Sequence, residues 1–600
     1  MATESFFSNA SLAYLASAGA GKDGKTYSIK PTDGSGDFTF SRGSNLAATR
    51  VGPTGLIEKG RENLLTYSND FSNADWTKSS TSVTSGQSGY DGSSDAWLLE
   101  RTGASAYLQQ TNTDSGVLCY SVYLKKGTYN WAYVRVQDSA GYRGVYFDLE
   151  NATTGLVDSG IIDYNIEAIG TNGWYRCSIV LNSTLVRAFV YPSASNNGVF
   201  LAGTGDIYIQ DAQLEIGLAA SEVITSGATT GKAGLLEDEP RFDYSGGATC
   251  PSLLLEPSRT QLVEQSEYFG GWILSRTSAF GSGSIINDTT SPEGFVNAAY
   301  IQQASGQVTA GGVFNAYSYT SGTTYTLSLF AKKKEGRYLR LGFSIGTGNA
   351  SVFCNFDLQG GISGSPDTGI TPKIEDYGNG WYRCSITKNS EVTGTKNTFL
   401  YQSNSLNSSS ATPLEGIYIY GAQLEEGSYA TSYIPNHSGG SVTRGKDSNV
   451  ASGLSSVIGQ TEGTIFIELD IENLAGLYRR IIGVSDGTID NSIQLTLSQN
   501  GTLEAYISQG GTYSFTYYGP TLSTGVQKLA ITYKTNEAKI YNNGTLLTTN
   551  TSVVVPACSN LYLGKIPTAS VSGIIGNKIK QSLLFDTAIS EADAITLTTL

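Results

Sequence analysis

The octapeptide NGWYRCSI stands at positions 172–179 and stands again, unchanged, at 379–386. Eight identical residues that include a tryptophan and a cysteine are not a coincidence of composition, so the chain carries an internal duplication. Outward from this anchor the agreement continues in order. FDL at 147–149 matches FDL at 356–358, AQLE at 212–215 matches AQLE at 422–425, and YLQQ at 107–110 reads as the partner of YIQQ at 300–303. The copies therefore span residues 62–217 and 260–434, each opening on a polar turn and a tryptophan, Trp76 or Trp272.

Within each copy short alternating segments are separated by Gly, Ser, Asn and Asp clusters, the pattern of an antiparallel β-sandwich. In 131–136, Ala132, Val134 and Val136 point one way while Trp131, Tyr133 and Arg135 point the other. The second copy repeats this with Leu339, Leu341 and Phe343 inward and Tyr338 and Arg340 outward. Trp174 and Trp381, just after an Asn-Gly turn, read as structural residues covering a sandwich edge, and Cys177 and Cys384 as core thiols.

The bulk composition agrees. With 71 Gly, 37 Tyr and charged residues at only 15%, a chain of 600 residues favours strands and turns and is too long for one core. The net charge of -14 repels phosphate backbones, so nucleic acid is excluded as a partner. No apolar run is long enough to cross a membrane, and the N-terminus lacks a signal-peptide core, so neither membrane insertion nor secretion is expected. The six cysteines, Cys119, Cys177, Cys250, Cys354, Cys384 and Cys558, form no C-x-x-C pair and are expected to be unpaired. Asn-x-Ser/Thr triplets such as those at Asn151 and Asn543 follow from composition and predict no glycan.

A different module fills 455–600. It opens on GTIFIELDIE at 463–472, continues through strand runs at 492–498, 529–533 and 539–541, and turns at Asn542, Asn543 and Gly544. Its one helix is expected at 590–597, capped by Ser590. The run KLAITYKTNEAKIYNNGTLL at 528–547, with LYLGK at 561–565 and SLLFDTAISEADAITL from Ser582, resembles a laminin-G/concanavalin-like jelly roll. The repeats, with SNDFSNADW at 68–76, NGWYRCSI, and AQLEEGSYATSYIP at 422–435, resemble carbohydrate-binding-module-like domains of tailed-bacteriophage virion structural proteins. Two connecting segments share that resemblance: DFTFSRGSNLAATRV, GLIE and RENLL within 37–65, and PRFDY, CPSLLLEPSRT and QLV within 240–263. In similar proteins these two segments often sit together ahead of one module, whereas here a complete module separates them.

The fold expected is all-β: tandem antiparallel jelly-roll sandwiches, two homologous and one concanavalin/laminin-G-like. The domain reading is an N-terminal virion-attachment segment at 1–61, repeat one at 62–217, a linker at 218–259, repeat two at 260–434, a linker at 435–454, and the terminal sandwich at 455–600. The resemblance implies a place on the virion surface, as a tail fibre, spike or decoration protein. Its implied partners are other virion proteins and host surface polysaccharide, in a homo-oligomer, with trimers the common form among phage fibres.

Chemistry is sparse. The only histidine, His437 in NHSGG, reads as a solvated linker residue, which leaves Ser/His/Asp and Cys/His catalysis without a base. Alternation puts Glu468, Asp470 and Glu472 of ELDIE on one strand face, and E-x-D-x-E resembles the core of laminarinase-type glycoside hydrolases. Yet Asn473, Leu474 and Ala475 depart from that motif and no tryptophan follows Trp381, so the stripe reads as an exposed acidic face. Asp486, Asp490 and Asn491 read as a turn rather than a calcium loop, and no cofactor is implied. Binding is the better-motivated function: outward rings present flat apolar faces with polar edges, which makes Trp131, Tyr133, Tyr338 and Arg340 the candidate ligand residues and leaves the acidic stripe dispensable. Attachment to host surface glycans is the leading reading. A purely architectural capsid decoration or collar role is the alternative, followed by a glycan depolymerase with Glu472 as acid/base and Glu468 as nucleophile.

Overall fold

The computed structural model describes residues 2–600 apart from 19–20, 44–45, 199–202, 276–287, 475–477, 566 and 568–576. The chain is all-β, with short helices at Ala2–Asn9 and Glu591–Thr598. In repeat one the long strand Trp174–Ser193 serves both sheets of the sandwich. Its first half lies between Ser115–Lys126 and Asp163–Ile169, and its second half lies between Trp131–Asp138 and Tyr107–Thr111. Repeat two makes the same crossing with two strands, Trp381–Asn389 and Gly394–Ser403. The two octapeptides fall in the same strand of their sandwiches: Trp174 is opposite Lys125 and Cys177 opposite Val122, as Trp381 is opposite Lys332 and Cys384 opposite Leu329. The inward set read from the sequence, Ala132, Val134, Val136, Leu339, Leu341 and Phe343, is fully buried. Trp174 and Trp381 are buried on the other face of their sheets, under Tyr90 and Tyr123 in repeat one and against Phe330 and Tyr420 in repeat two.

One part of the alignment fails. Tyr300 lies opposite Tyr418, a position that in repeat one belongs to Leu98 opposite Tyr208, whereas Tyr107 sits in a strand of the other sheet. YLQQ and YIQQ are thus unrelated. The matched AQLE motifs have a structural role instead. Buried Glu215 accepts from the Ser221 amide at 2.9 Å and buried Glu425 from the Thr431 amide at 2.7 Å, while Gln213 and Gln423 accept from the amides of Ile224 and Ile434, both at 2.7 Å. Each motif straps down the chain that leaves its sandwich, and Arg61 or Arg259 faces the glutamate at 3.6 or 3.8 Å.

The segments read as attachment region and linkers are strands of the terminal sandwich or clasps at the repeats. Leu12–Leu15 pairs with Asn577–Phe585, and Phe38–Ser41 pairs with Ser448–Ser452, which pairs in turn with Asn560–Leu563. Ser252–Leu255 adds to the same edge of Asn577–Phe585, and Arg61–Asn63 and Arg259–Gln261 pair with Gly231–Ala233 and Val442–Arg444. The physical reason is that each piece buries only a few apolar side chains, such as Phe38 and Phe40 or Leu253 and Leu255, and their partners lie hundreds of positions away. The terminal sandwich is therefore built from both ends and the middle of the chain, with the repeats as excursions from it.

In that sandwich Ile465, Ile467, Leu469 and Ile471 of the ELDIE strand point into the core, while Phe466 points out beneath the two helices. Ser590 caps Glu591–Thr598 by accepting from the Asp593 amide at 3.1 Å. The hairpin between Glu537–Asn542 and Thr545–Asn550 turns on Asn543 and Gly544 at φ of 46° and 78°, the left-handed pair that a tight two-residue turn requires. All six cysteines are free, five buried and Cys250 exposed. No helix among the described residues is long and apolar enough to cross a membrane.

His437 overturns its reading as a solvated residue. It is 9% exposed, its Nε2 lies 3.5 Å from Glu267, and its carbonyl oxygen would sit 2.3 Å from any Cβ placed on Gly116, whose φ of 116° also favours glycine. The NHSGG turn is wedged against repeat one beside a buried cluster in which Lys59 pairs with Glu267 at 2.8 Å and with Glu293 at 2.7 Å. Burial pushes the His437 imidazole down to about 4, with Glu267 opposing and Lys59 reinforcing the shift. Because the folded value lies below the unfolded one, stability is complete above about pH 6.5 and falls as pH drops toward 4. Calorimetric unfolding of the intact chain should lose about 1.4 kcal/mol per pH unit through this one group across that window. His437→Gln should flatten that part of the profile; an unchanged slope would show that the imidazole is solvated.

Candidate functional site

The four residues singled out from the sequence do occupy equivalent outward positions. Trp131 is opposite Asp148 and Ser193, and Tyr338 is opposite Asp357 and Ser403; Tyr133 is opposite Tyr146 and Tyr191, and Arg340 is opposite Asn355 and Tyr401. Outward is not open, however. Tyr133 is only 5% exposed, its ring stacked on Tyr146 at 4.1 Å and 12°, with Tyr191 and Phe189 continuing the layer. Its hydroxyl donates to Asp158, and the Arg135 guanidinium lies 3.6 Å from the Tyr142 ring centre, closing the layer on that side. Cross-strand neighbours stand about 5 Å apart, so aromatic residues at one level of adjacent strands stack on each other and turn their edges to solvent. Tyr133 therefore offers no free ring face, contrary to the expectation. Trp131 is half-buried against Gly155, where a Cβ would lie 2.7 Å from the indole.

Repeat two carries the same kind of layer with different members. The Arg340 guanidinium lies 4.1 Å from the Phe353 ring centre and donates to Asn355 at 2.8 Å, and Phe399 and Tyr401 complete it. Tyr338 is half-buried, 5.3 Å from the Arg337 guanidinium that Asp357 holds. These layers seal the outer faces of their sheets.

The concave feature lies elsewhere, between repeat two and the terminal sandwich: a cleft of about 1530 Å³. One wall is the outer face of the edge strand Thr371–Asp376 and its neighbour Trp381–Asn389, whose registers set Thr371 beside Thr387, Lys373 beside Ser385 and Glu375 beside Arg383. The other wall is the outer face of the ELDIE strand and its neighbour, where Asp470 is opposite Lys578 and Glu468 opposite Gln581. Tyr377, Tyr429, Glu256 and Ser432 also line the cleft.

The acidic stripe is thus a cleft wall rather than an open surface. Glu472 pairs with Lys578 at 2.5 Å, and Lys578 also faces Asp243 at 3.5 Å; Glu468 accepts from Gln581 at 2.6 Å and faces Lys580 at 3.7 Å. Lys578 is buried, but the Glu472 and Asp243 carboxylates facing it raise its pKa, so the ammonium stays charged and holds Glu472 in an ion pair. The strand ends at Ile471, and Glu472 lies just beyond it, lining the cleft together with Asp470. Asp470 has no ion-pair partner within 4 Å among the described residues.

The wall was half-visible in the sequence. The ELDIE face was recognised, but its basic complement, Lys578 and Lys580 alternating two residues apart, and the tyrosines at 377 and 429 were not. Asp486 is spent on its own turn, accepting from the Thr488 amide at 2.8 Å and from Asn491 at 2.8 Å. Among the described residues no group of three or more His, Cys, Asp or Glu side chains is arranged to hold a metal.

No family model matches the chain, and no curated protein matches it in sequence. Among solved structures it is similar to the Ruminococcus gnavus IT-sialidase CBM40 bound to α2,3 sialyllactose, at 18% identity over 25% of this chain and 91% of that one, TM-score 0.22. It is also similar to the NanB sialidase from Streptococcus pneumoniae, at 15% identity over 25% of this chain and 26% of that one, TM-score 0.22. A botulinum neurotoxin type C structure, described for its interaction with two ganglioside molecules, follows at 12% identity over 26% and 39%, TM-score 0.21. At such scores these likenesses carry no argument about the cleft.

The aromatic layer generates a direct expectation. Tyr133→Ala removes a buried, stacked ring and should lower the stability of repeat one by roughly 3 kcal/mol. Denaturant unfolding followed by tryptophan fluorescence would measure it, and a variant as stable as the parent would mean that the ring is free on the surface.

Proposed function

We propose that this chain is a structural protein of a tailed-bacteriophage virion, of the tail-fibre or spike type, which attaches to host surface glycan through the cleft between repeat two and the terminal sandwich. The observation that carries the binding reading is the cleft itself. A large concave site with convergent polar groups is the default place for a ligand, and 1530 Å³ exceeds what a single small molecule needs. Its walls carry donors, Lys373, Ser385 and Lys578, and acceptors, Glu375, Asp470 and Glu472, and Tyr377 and Tyr429 line it as well. That mixture suits the hydroxyl-lined edges and flat apolar faces of linked sugar rings. The virion reading is supported by the resemblance of the connecting phrases and the repeats to phage structural proteins.

A depolymerase is the second reading, on the observation that two carboxylates, Asp470 and Glu472, line the same cleft.

Binding of purified bacterial surface polysaccharide to the intact chain tests these readings. Asp470→Asn combined with Tyr429→Ala should weaken binding about tenfold or more, the scale of losing an anchor residue, with the thermal midpoint little changed and no reducing ends released by the parent. Release of oligosaccharides abolished by Glu472→Gln would select the depolymerase. A double variant that binds normally but assembles poorly into particles would select an architectural role.

A further inference from the structure

The sheet on the far side of the terminal sandwich carries a second polar–aromatic surface. Its strands Arg479–Ser485, Ser492–Leu497, Thr502–Gln509 and Thr512–Thr521 point Ile482, Leu495, Ala505 and Phe515 into the core. On the outer face one row runs Arg480, Thr496, Glu504, Tyr518 and the next runs Gln494, Tyr506, Thr516. Tyr513 and Tyr518 are 54% and 68% exposed, yet Gln494, Thr496 and Glu504 beneath them are 2%, 0% and 5% exposed. The rings wall a polar floor. Tyr506 stands between the other two, 5.5 Å from Tyr513 and 6.3 Å from Tyr518, and its hydroxyl donates to Glu504 at 2.8 Å.

Glu504 is thereby satisfied, with Thr496 donating as well at 3.4 Å. Arg480 is not. No carboxylate lies within 4 Å of it among the described residues, and its Nε is buried without a hydrogen-bond partner. Burial lowers its basicity, and Tyr506, Tyr513 and Glu504 act on it only from a distance. A half-buried cation without a counter-ion is costly in a folded chain, and elsewhere in this one buried arginines 42, 241 and 444 pair with carboxylates while buried Arg135 and Arg383 lie over the rings of Tyr142 and Phe330.

The geometry points to a second binding site on this face, for a polysaccharide carrying isolated carboxylates: the acid would pair with Arg480 while neighbouring sugar rings lie against Tyr518 and Tyr513 over the hydroxyl and amide floor. A single guanidinium matches one anion per binding register, and the overall charge of -14 disfavours densely charged polyanions such as nucleic acid. The site is separate from the cleft and stands whether or not the cleft binds glycan.

The test uses the full chain with short hyaluronan oligosaccharides, which carry one carboxylate per disaccharide, and the same oligosaccharides after reduction of their carboxyls to alcohols, with affinities read by calorimetry. The acidic oligosaccharide should bind, its reduced form about tenfold or more weaker, and binding should weaken with added salt. Arg480→Gln and the surface variant Tyr518→Ala should each cost about tenfold, Arg480→Lys less than Arg480→Gln, and Lys126→Gln on the surface of repeat one nothing. Equal binding of the reduced forms, no binding of any acidic form, or full affinity in Arg480→Gln would overturn the assignment.

Discussion

The rest of the structure depends on one buried charge network. Arg241 pairs with Glu256 at 2.5 Å and with Asp447, Arg444 pairs with Glu256 at 2.9 Å, and Arg42 faces Asp447 at 3.5 Å, all with side chains almost wholly withdrawn from solvent. These five residues come from the three passages of chain that connect the repeats to the terminal sandwich. Burial alone would raise the Glu256 carboxyl, but Arg444 and Arg241 hold it well below the usual carboxylate range. Glu256 also accepts from the Ser432 amide at 2.7 Å, which ties the strap of repeat two into the same node. Removing one partner of such a network strands a buried charge, at a cost of about 3–5 kcal/mol. Glu256 and Ser432 also line the cleft, so the network helps set how the two cleft walls face each other.

The duplication shows what identity between copies records. The residues held in common, the octapeptide and AQLE, maintain a strand crossing and a strap, which any copy of the sandwich needs. Equivalent arginines have diverged around that common frame. Arg61 reaches past Glu215 to Glu293 and joins repeat one to repeat two, whereas Arg259 faces Glu425 and lies 5.7 Å from the ring centre of Tyr429 at the cleft. The functional difference between the repeats thus lies in unshared surroundings of shared residues, where self-comparison is blind.

The same distinction explains how much of this protein was legible in its sequence. The all-β class, the duplication, the inward faces at 132–136 and 339–343, and the capped terminal helix follow from local periodicity, a property of neighbouring residues. The role of Phe38–Ser41 or Ser252–Leu255 does not, because a strand of four residues is defined by its partner. His437 was misjudged for the same reason: NHSGG has the composition of a solvated turn, and what buries it comes from distant positions, among them Gly116, Gly217 and Glu267. For the site, alternation gave the correct face for Tyr133 but not its exposure, since stacking partners on adjacent strands are not adjacent in sequence. The tyrosine wall at 513–518 was hidden among 37 tyrosines of similar local setting.

The cleft's ion pairs add a last consequence. Lys373 pairs with Glu375 on one wall, and Lys578 with Glu472 and Asp243 on the other. Among the described residues none of these pairs crosses from wall to wall. The walls are held by their own cores and by the arginine network, so the opening is preformed and a ligand need not order it. The groups facing the cleft have already met part of their electrostatic needs within their own wall, which limits what any single new hydrogen bond gains there. Affinity for an extended ligand would then come from many modest contacts along both walls together, and a chain of linked sugars provides that more readily than one compact molecule.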